Sequence, residues 1–195
     1  MSAIDPRHRS RQRRALIALA LLFFAPLALA FILYYGVGWR PGGRVNHGDL
    51  VEPPVPLPDP ALPAAPILRG KWTLLYFGPG SCPASCRTDL YNTRQVRAAL
   101  GADRERVQRV FLAEGECCDL EWLRVQQPDL IMVRASAATA PLAAILERAA
   151  RGPAPADRVY LVDPLGNLMM SYAADARPKG MLEDLKKLLR LSHVG

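Results

Sequence analysis

The longest hydrophobic block of the chain lies near its N-terminal end. Residues 15–35 form a run of 21 residues without a charged side chain. At about 1.5 Å per residue, such a helix covers about 30 Å, the thickness of a bilayer core. Residues 1–14 carry five arginines, which by the positive-inside rule predicts a cytoplasmic tail. We therefore expect an uncleaved single-pass anchor, and a cleaved signal peptide is the alternative.

A segment rich in proline and glycine, residues 36–66, follows the predicted transmembrane helix. Its central part, Glu52-Pro-Pro-Val-Pro-Leu-Pro-Asp-Pro60, is incompatible with a helix or a central strand because proline lacks an N–H donor. The composition predicts an extended, semi-rigid spacer between membrane and domain. The alternative is an ordered arm that packs along the surface of the domain.

From residue 67 the hydrophobic pattern switches repeatedly between strand-like and helix-like periods. The order is strand, helix, strand, helix, then a β-hairpin and a closing amphipathic helix, which predicts an α/β, thioredoxin-like domain over 67–192. The predicted strands are 71–77, 107–113, 129–133, 159–163 and 168–172, and the predicted helices are 87–100, 119–126, 139–151 and 178–191.

The positive charge of the chain is concentrated at its start. The formal net charge is +7, of which residues 1–14 contribute +4. Aromatic residues do not interleave with these arginines, so the basic character gives little support to nucleic-acid binding. A membrane explains the N-terminal charge better, and the domain is then expected in a bacterial periplasm.

Two cysteines, Cys82 and Cys86, stand between the first predicted strand and the first predicted helix of the domain. The N-terminus of a helix stabilises a thiolate, which is both a nucleophile and a soft metal ligand. The position therefore indicates redox chemistry, metal binding or both. In an oxidising compartment, a structural disulfide without turnover is the alternative.

These features together resemble the Sco/SenC family. The resemblance rests on the membrane anchor, on Phe77-x4-Cys82-x3-Cys86 between strand and helix, and on the late hairpin Tyr160-Leu-Val-Asp-Pro-Leu-Gly166, and it covers about residues 67–192. It implies a thioredoxin-like fold and a role in assembling the copper A centre of cytochrome c oxidase. It also implies an oxidase subunit or a copper chaperone as partner, and anchoring in the bacterial inner membrane.

The resemblance also implies that Cys82 and Cys86 bind copper together with a histidine, or cycle between dithiol and disulfide. The family's histidine lies a few residues before the strand that corresponds to Val159–Asp163, and Pro155 or a near neighbour occupies that place here. His8 is on the cytoplasmic side of the predicted anchor, and His47 and His193 are expected to be solvated. The third copper ligand is thus not carried over, which favours thiol–disulfide exchange.

A second pair, Cys117 and Cys118, follows the second predicted strand of the domain. The carboxyl ends of neighbouring parallel strands share one edge, so this pair is expected near Cys82 and Cys86. Three roles stay open: a resolving thiol, a replacement metal ligand, or a structural or vicinal disulfide.

Three functions follow from the sequence. The first is thiol–disulfide exchange at Cys82 and Cys86 in oxidase assembly, which would make the protein a thiol–disulfide oxidoreductase. The second is copper delivery by Cys82, Cys86 and a third ligand other than histidine. The third is a docking scaffold whose cysteines are not catalytic.

Overall fold

The structure is a computed structural model that describes residues 6–36, 46–59, 67–116, 119–149, 157–174 and 176–192. The chain divides into two compact units, Met1–Arg44 and Val45–Gly195. In the first unit, helix α1 covers Pro6–Phe31 and continues into a π-helical turn, Ile32–Gly36. Its segment Arg13–Gly36 is long and apolar enough to span a membrane.

The described residues of the second unit form a six-stranded mixed sheet with the order β1-β6-β5-β2-β3-β4. The central strand β2 is parallel to β3 and antiparallel to β5, and β3 is parallel to β4. Strand β6 is antiparallel to both of its neighbours. The strands are β1 Asp49–Pro56, β2 Trp72–Pro79, β3 Val107–Glu114, β4 Leu130–Arg134, β5 Arg158–Val162 and β6 Asn167–Tyr172.

Helices cover both faces of this sheet. Alternation of side chains along β2 sends Leu74 and Tyr76 to one face and Leu75 and Phe77 to the other. The first face packs against α2, α3 and α5, and the second packs against α4. The helices of this unit are α2 Ala84–Ala98, α3 Leu120–Gln126, α4 Ala140–Ala149 and α5 Pro178–Leu191.

The sheet begins earlier in the chain than the sequence indicates. Strand β1 pairs with β6 through Asp49–Ser171 and Val55–Leu168, with an irregularity between them. The prediction of a spacer up to residue 66 is therefore wrong for residues 49–56, which are the edge strand, and the ordered-arm alternative describes them. An edge strand tolerates prolines because one side of its backbone has no partner strand. Residues 37–45 and 60–66 of the predicted spacer lie outside the described residues.

A fully buried arginine joins the second and third helices to the sheet. The Arg109 side chain is 0% exposed, and its Nη1 lies 2.9 Å from Oδ1 of Asp129. Its Nη2 donates to the Leu90 carbonyl and to Oε1 of Gln127, each at 2.6 Å. Burial lowers the pKa of Arg109 to about 10, while Asp129 acts in the opposite direction. Because every branch of the guanidinium has a partner, this cation is a fixed cross-brace behind β3.

Candidate functional site

The cysteine pair forms a disulfide at the start of α2. Cys82 and Cys86 are bonded to each other with their Cα atoms 5.0 Å apart. Cys86 lies in the first turn of α2, whereas Cys82 precedes Pro83 at the N-cap. Helix α2 starts three residues before the predicted Arg87, so the helix N-terminus lies at Cys86 itself. A positive charge density from the helix dipole therefore acts on the Cys86 sulfur.

The bridge closes because Cys82 leaves the helical conformation. Its backbone has φ of 45°, in the left-handed region that residues with a Cβ rarely adopt. Its N–H donates to the Pro79 carbonyl at 3.0 Å, which makes a tight turn after β2. Because Cys82 is not helical, two cysteines four residues apart can approach closely enough to form an intramolecular disulfide.

The two sulfurs are less accessible than the glycine-rich turn suggests. Cys82 is 5% exposed and Cys86 is 0% exposed, and both belong to the apolar cluster beneath α2. Packing against the sheet covers Cys86 completely. Exposed Ser81 and Pro83 flank Cys82 directly. An attacking group therefore reaches Cys82 first.

Arg87 connects the disulfide loop to α3. Its Nε donates to the Cys82 carbonyl at 3.3 Å, and its guanidinium carbon lies 4.7 Å from the centroid of the Trp122 ring. Its Nη2 lies 3.8 Å from Oδ2 of Asp119, whose other oxygen caps α3 by accepting the Trp122 N–H at 3.0 Å. A half-exposed cation is thus held within contact distance of the loop that carries the more accessible sulfur.

The parallel pairing of β2 and β3 brings a second segment to this edge of the sheet. Pro79 pairs with Glu114, and the Gly80 N–H donates to the Glu114 carbonyl at 2.6 Å. Cys117 and Cys118 themselves lie outside the described residues. The segment that carries them starts next to Gly80 and ends at Asp119, the partner of Arg87. Both of its ends are therefore tied to the disulfide loop.

A tyrosine–aspartate pair at the same edge was not anticipated from the sequence. The hydroxyl of Tyr76 donates to Oδ1 of Asp157 at 2.6 Å, and the Asp157 N–H donates to the Phe77 carbonyl at 3.0 Å. Burial raises the pKa of Tyr76 well above its ordinary value, and Asp157 and the charge of buried Asp89 raise it further. The phenol therefore stays protonated and donates. The available signal was an acidic residue immediately before β5, where the resemblance places a metal ligand.

The glycine after Phe77 is required by this pair. A Cβ at Gly78 would lie 2.9 Å from Oη of Tyr76 and 3.0 Å from Cε1. No side chain fits there without moving the ring that holds Asp157.

His47 is exposed to solvent, as expected, but it also contacts two acidic side chains. Its Nδ1 lies 3.2 Å from Oδ1 of Asp184 and its Nε2 lies 3.3 Å from Oε2 of Glu183, both on α5. The side chain is half-exposed, and its contacts are with α5 rather than with the disulfide loop. The side chain of His8 and all of His193 and Pro155 lie outside what the structure describes.

The described side chains do not form a copper site in this disulfide-bonded state. Among the described residues, no three histidine, cysteine, aspartate or glutamate side chains are grouped so that they could hold a metal ion. Cys82 and Cys86 are bonded to each other, and a disulfide sulfur is not the thiolate that Cu(I) prefers. The chemistry that this geometry supports directly is exchange at the disulfide.

Comparisons with known proteins agree on the fold. Residues 72–192 match the family model described as transmembrane-like, thioredoxin-like, C-terminal domain. No curated protein matches the sequence significantly.

Among solved structures, copper-bound ScoI of Arabidopsis thaliana is 22% identical, with a TM-score of 0.50, over 64% of this chain and 88% of that one. Copper-bound ScoI of Bradyrhizobium japonicum is 23% identical, with a TM-score of 0.45, over 62% and 86%. Copper-bound yeast Sco1 is 17% identical, with a TM-score of 0.49, over 64% and 82%. At these identities the likeness concerns the fold alone, and the predicted Sco/SenC-like thioredoxin fold is confirmed.

Proposed function

The chain belongs to the family of transmembrane-like, thioredoxin-like C-terminal domains, and on that premise we propose that it is a membrane-anchored thiol–disulfide exchange protein. The observation that carries the proposal is the Cys82–Cys86 disulfide at the N-terminus of α2. We further propose that it acts in the periplasm of a bacterium, anchored in the inner membrane by Arg13–Gly36. Its target would be the cysteines of the copper A centre of cytochrome c oxidase or a copper chaperone.

The greater exposure of Cys82 supports different roles for the two cysteines. In the reduced protein, the Cys82 thiolate attacks one sulfur of a target disulfide, and the other target sulfur leaves with the electron pair. Cys86 then gives up its proton to solvent and attacks the Cys82 sulfur of the mixed disulfide. The target sulfur that was bonded to Cys82 then leaves as a thiolate and takes up a proton. The target gains two electrons, and the protein returns to the disulfide state.

Local electrostatics support both steps. The helix dipole favours the thiolate of Cys86, which is the leaving group whenever a target thiolate attacks Cys82 in the reverse direction. The guanidinium of Arg87, 3.3 Å from the Cys82 carbonyl through Nε, favours negative charge in the same loop. Cys117 and Cys118 are candidates for a resolving role because both ends of their segment are tied to this loop.

Two variants of the full chain in detergent test the assignment. We expect reduced Cys86→Ser to accumulate a covalent adduct with a disulfide-bonded target peptide, because Cys82 can attack but the adduct cannot be resolved. Cys82→Ser is the matched control and should form little adduct. Equal adduct in both variants would contradict the assignment of Cys82 as the nucleophile, and adduct in neither would contradict exchange itself.

A strain carrying Cys82→Ser/Cys86→Ser tests the target. We expect it to lose the optical absorption of the copper A centre, while the protein stays in the membrane. Normal copper A absorption would instead support the docking scaffold. Stoichiometric Cu(I) binding by the reduced full chain, abolished in the double variant, would support copper delivery in place of exchange.

A further inference from the structure

The exposed face of α5 is richer in basic residues than the folded unit as a whole. From residue 45 to the C-terminus the chain holds eighteen basic and seventeen acidic residues, so the unit as a whole is nearly neutral. On α5 the solvent-exposed positions that share one face are Lys179, Glu183, Lys186, Lys187 and Arg190. Four of these five residues are basic, spaced three, four or seven residues apart.

Arg106 extends this basic face beside the helix. Its Nη1 donates to the Leu189 carbonyl at 3.1 Å and its Nη2 donates to the Ser192 carbonyl at 2.8 Å, so the side chain lies along the C-terminal end of α5. A surface depression there is lined by residues with a basic majority: Asp103, Arg106, Glu183, Lys186, Lys187, Leu189 and Arg190. Because Arg106 also contacts Asp103 at 3.3 Å, the cationic groups that the recess offers to an anionic group are mainly those of Lys186, Lys187 and Arg190.

Helix stability does not account for the pattern. Cations near the C-terminus of a helix interact favourably with its dipole, and this explains Arg190 in the last turn of α5. Lys179 lies in the first turn, where a cation opposes the dipole, and its contact with Glu183 is a surface pair at 3.9 Å. A face that is basic at four of five positions, from the first turn to the last, therefore points to an external anionic surface.

The chain itself places such a surface within reach. Asn46 follows Gly36 by ten residues, and an extended chain spans at most about 3.6 Å per residue, or about 36 Å. The first described residues of the folded unit contact α5 directly: the N–H groups of His47 and Gly48 donate to Oδ2 of Asp184 at 2.9 and 3.0 Å. The headgroups of a bilayer spanned by Arg13–Gly36 would thus be within reach of the folded unit.

We propose that the basic face of α5, formed by Lys179, Lys186, Lys187 and Arg190 with Arg106 beside it, binds the anionic phospholipid headgroups of the membrane in which the chain is anchored. Each basic residue near such a surface contributes roughly a fivefold gain in binding, and the effect decays within a Debye length of about 10 Å. The binding would fix which face of the unit is left for partners.

Photo-crosslinking in nanodiscs tests this directly. Leu191 ends α5 and is 67% exposed, so Leu191→p-benzoylphenylalanine in the full chain reports on what lies against the helix. We expect at least about tenfold more lipid adduct with phosphatidylglycerol present than with phosphatidylcholine alone, and loss of the difference at high salt. Val125, on α3, is also 67% exposed, and the same probe there should give little adduct in either disc.

Charge variants provide the second arm. Neutralising the four basic residues of α5 to glutamine should lower the adduct at Leu191 at least about tenfold, with unchanged thermal unfolding. A matched control neutralises four exposed basic residues elsewhere and should leave the adduct unchanged: Lys71, Arg104, Arg124 and Arg134.

Three outcomes would overturn the proposal: equal adduct in both lipids, equal loss in the control variant, or full competition by millimolar inorganic phosphate, which would indicate a site for soluble anions. Failure of the chain to insert into either disc would instead contradict the proposed anchor.

Discussion

Two tyrosine–aspartate pairs lie on one face of the sheet, where Tyr76 and Tyr172 flank Val159 from either side, and they differ in how many donors share the carboxylate. We call Tyr76–Asp157 the disulfide-side pair and Tyr172–Asp184 the entry-side pair. Asp157 is partly exposed and accepts one hydroxyl, at 2.6 Å. Asp184 is buried, and its Oδ2 accepts the Tyr172 hydroxyl at 3.1 Å together with two backbone N–H groups.

The difference shows how the same side chains serve different purposes. In the entry-side pair, the Asp184 carboxylate takes the place of water as acceptor for three donors. It therefore binds the incoming chain to α5 within the core. The disulfide-side pair joins β2 to the residue before β5 through one side-chain hydrogen bond at a partly exposed acid, beside the bond from the Asp157 N–H to the Phe77 carbonyl. Because a single side-chain donor shares this carboxylate, we expect the pair to cost less to break.

The largest expected effect separates the two acids. Asp184→Ala would leave several buried donors without an acceptor, and we expect it to lower the free energy of unfolding by about 3–5 kcal/mol. Asp157→Ala should cost about 1–2 kcal/mol because one donor is affected. Urea unfolding of the full chain in detergent, followed by tryptophan fluorescence, measures both. Glu183→Ala is the control on α5, and a loss as large as that of Asp184→Ala would contradict the comparison.

Two glycines provide the second contrast: Gly78 lies against Tyr76, and Gly180 lies against His47, which contacts Asp184. Gly78→Ala should destabilise by about 1–3 kcal/mol, since its Cβ would lie 2.9 Å from Oη of buried Tyr76. Gly180→Ala places a Cβ 2.8 Å from His47, but His47 is half-exposed and alanine favours helix by up to about 1 kcal/mol. We expect the smaller loss there, measured by thermal unfolding. Equal losses would show that His47 is held as rigidly as Tyr76.

Alkaline pH weakens both pairs in a predictable direction. Burial, assisted by the neighbouring carboxylate, raises the pKa of Tyr76 and of Tyr172 above the ordinary value of about 10. Above that pH the unfolded chain loses protons that the folded chain keeps, so the free energy of unfolding falls as pH rises. Each tyrosine contributes about 1.4 kcal/mol per pH unit.

Tyr76→Phe and Tyr172→Phe should each reduce that slope by one proton equivalent. Unfolding midpoints measured from neutral to alkaline pH report it. The exposed Tyr91 is the control, and Tyr91→Phe should leave the slope unchanged. A slope that neither core variant alters would contradict the raised pKa values.

The smallest expected effect on stability concerns Arg87. The side chain is 45% exposed, so Arg87→Gln should change the free energy of unfolding by less than about 1 kcal/mol. In the reduced protein it should slow alkylation of Cys82 at neutral pH, because a cation beside the loop is lost. Arg94→Gln, which removes a guanidinium bound to the Gln126 carbonyl, is the control. Equal alkylation rates in both variants and in the wild type would contradict an effect of Arg87 on the reactivity of Cys82.

Much of the fold could be read from periodicity. The strands after residue 70 and α5, Pro178–Leu191, are placed as predicted to within a residue or two. The start of α2 was predicted three residues late because Pro83 and the stretch Gly78-Pro-Gly-Ser81 before it suggest a turn. Strand β1 was missed because three prolines exclude a central strand, and local sequence does not reveal that β6 offers an edge.

The candidate site divides in the same way. Cys82 and Cys86 are identified by their spacing and by their place between strand and helix. Local sequence does not identify Tyr76, Asp157 and Trp122, which look like ordinary core or loop residues. Tyr76 and Asp157 become partners only when β2 pairs with β5, and Trp122 contacts Arg87 only in the folded unit. His47 was expected in solvent, and only the packing of the entering chain on α5 gives it partners.

By itself, the sequence determined the apolar N-terminal helix, the alternation of strands and helices, and the thiol pair, because each depends on neighbours close in the chain. Only the tertiary structure decided the burial of Cys86, the joining of the Cys117–Cys118 segment to the disulfide loop at both ends, and the collection of basic residues beside the point where the chain enters the fold. These depend on contacts between residues far apart in sequence, which no local pattern records.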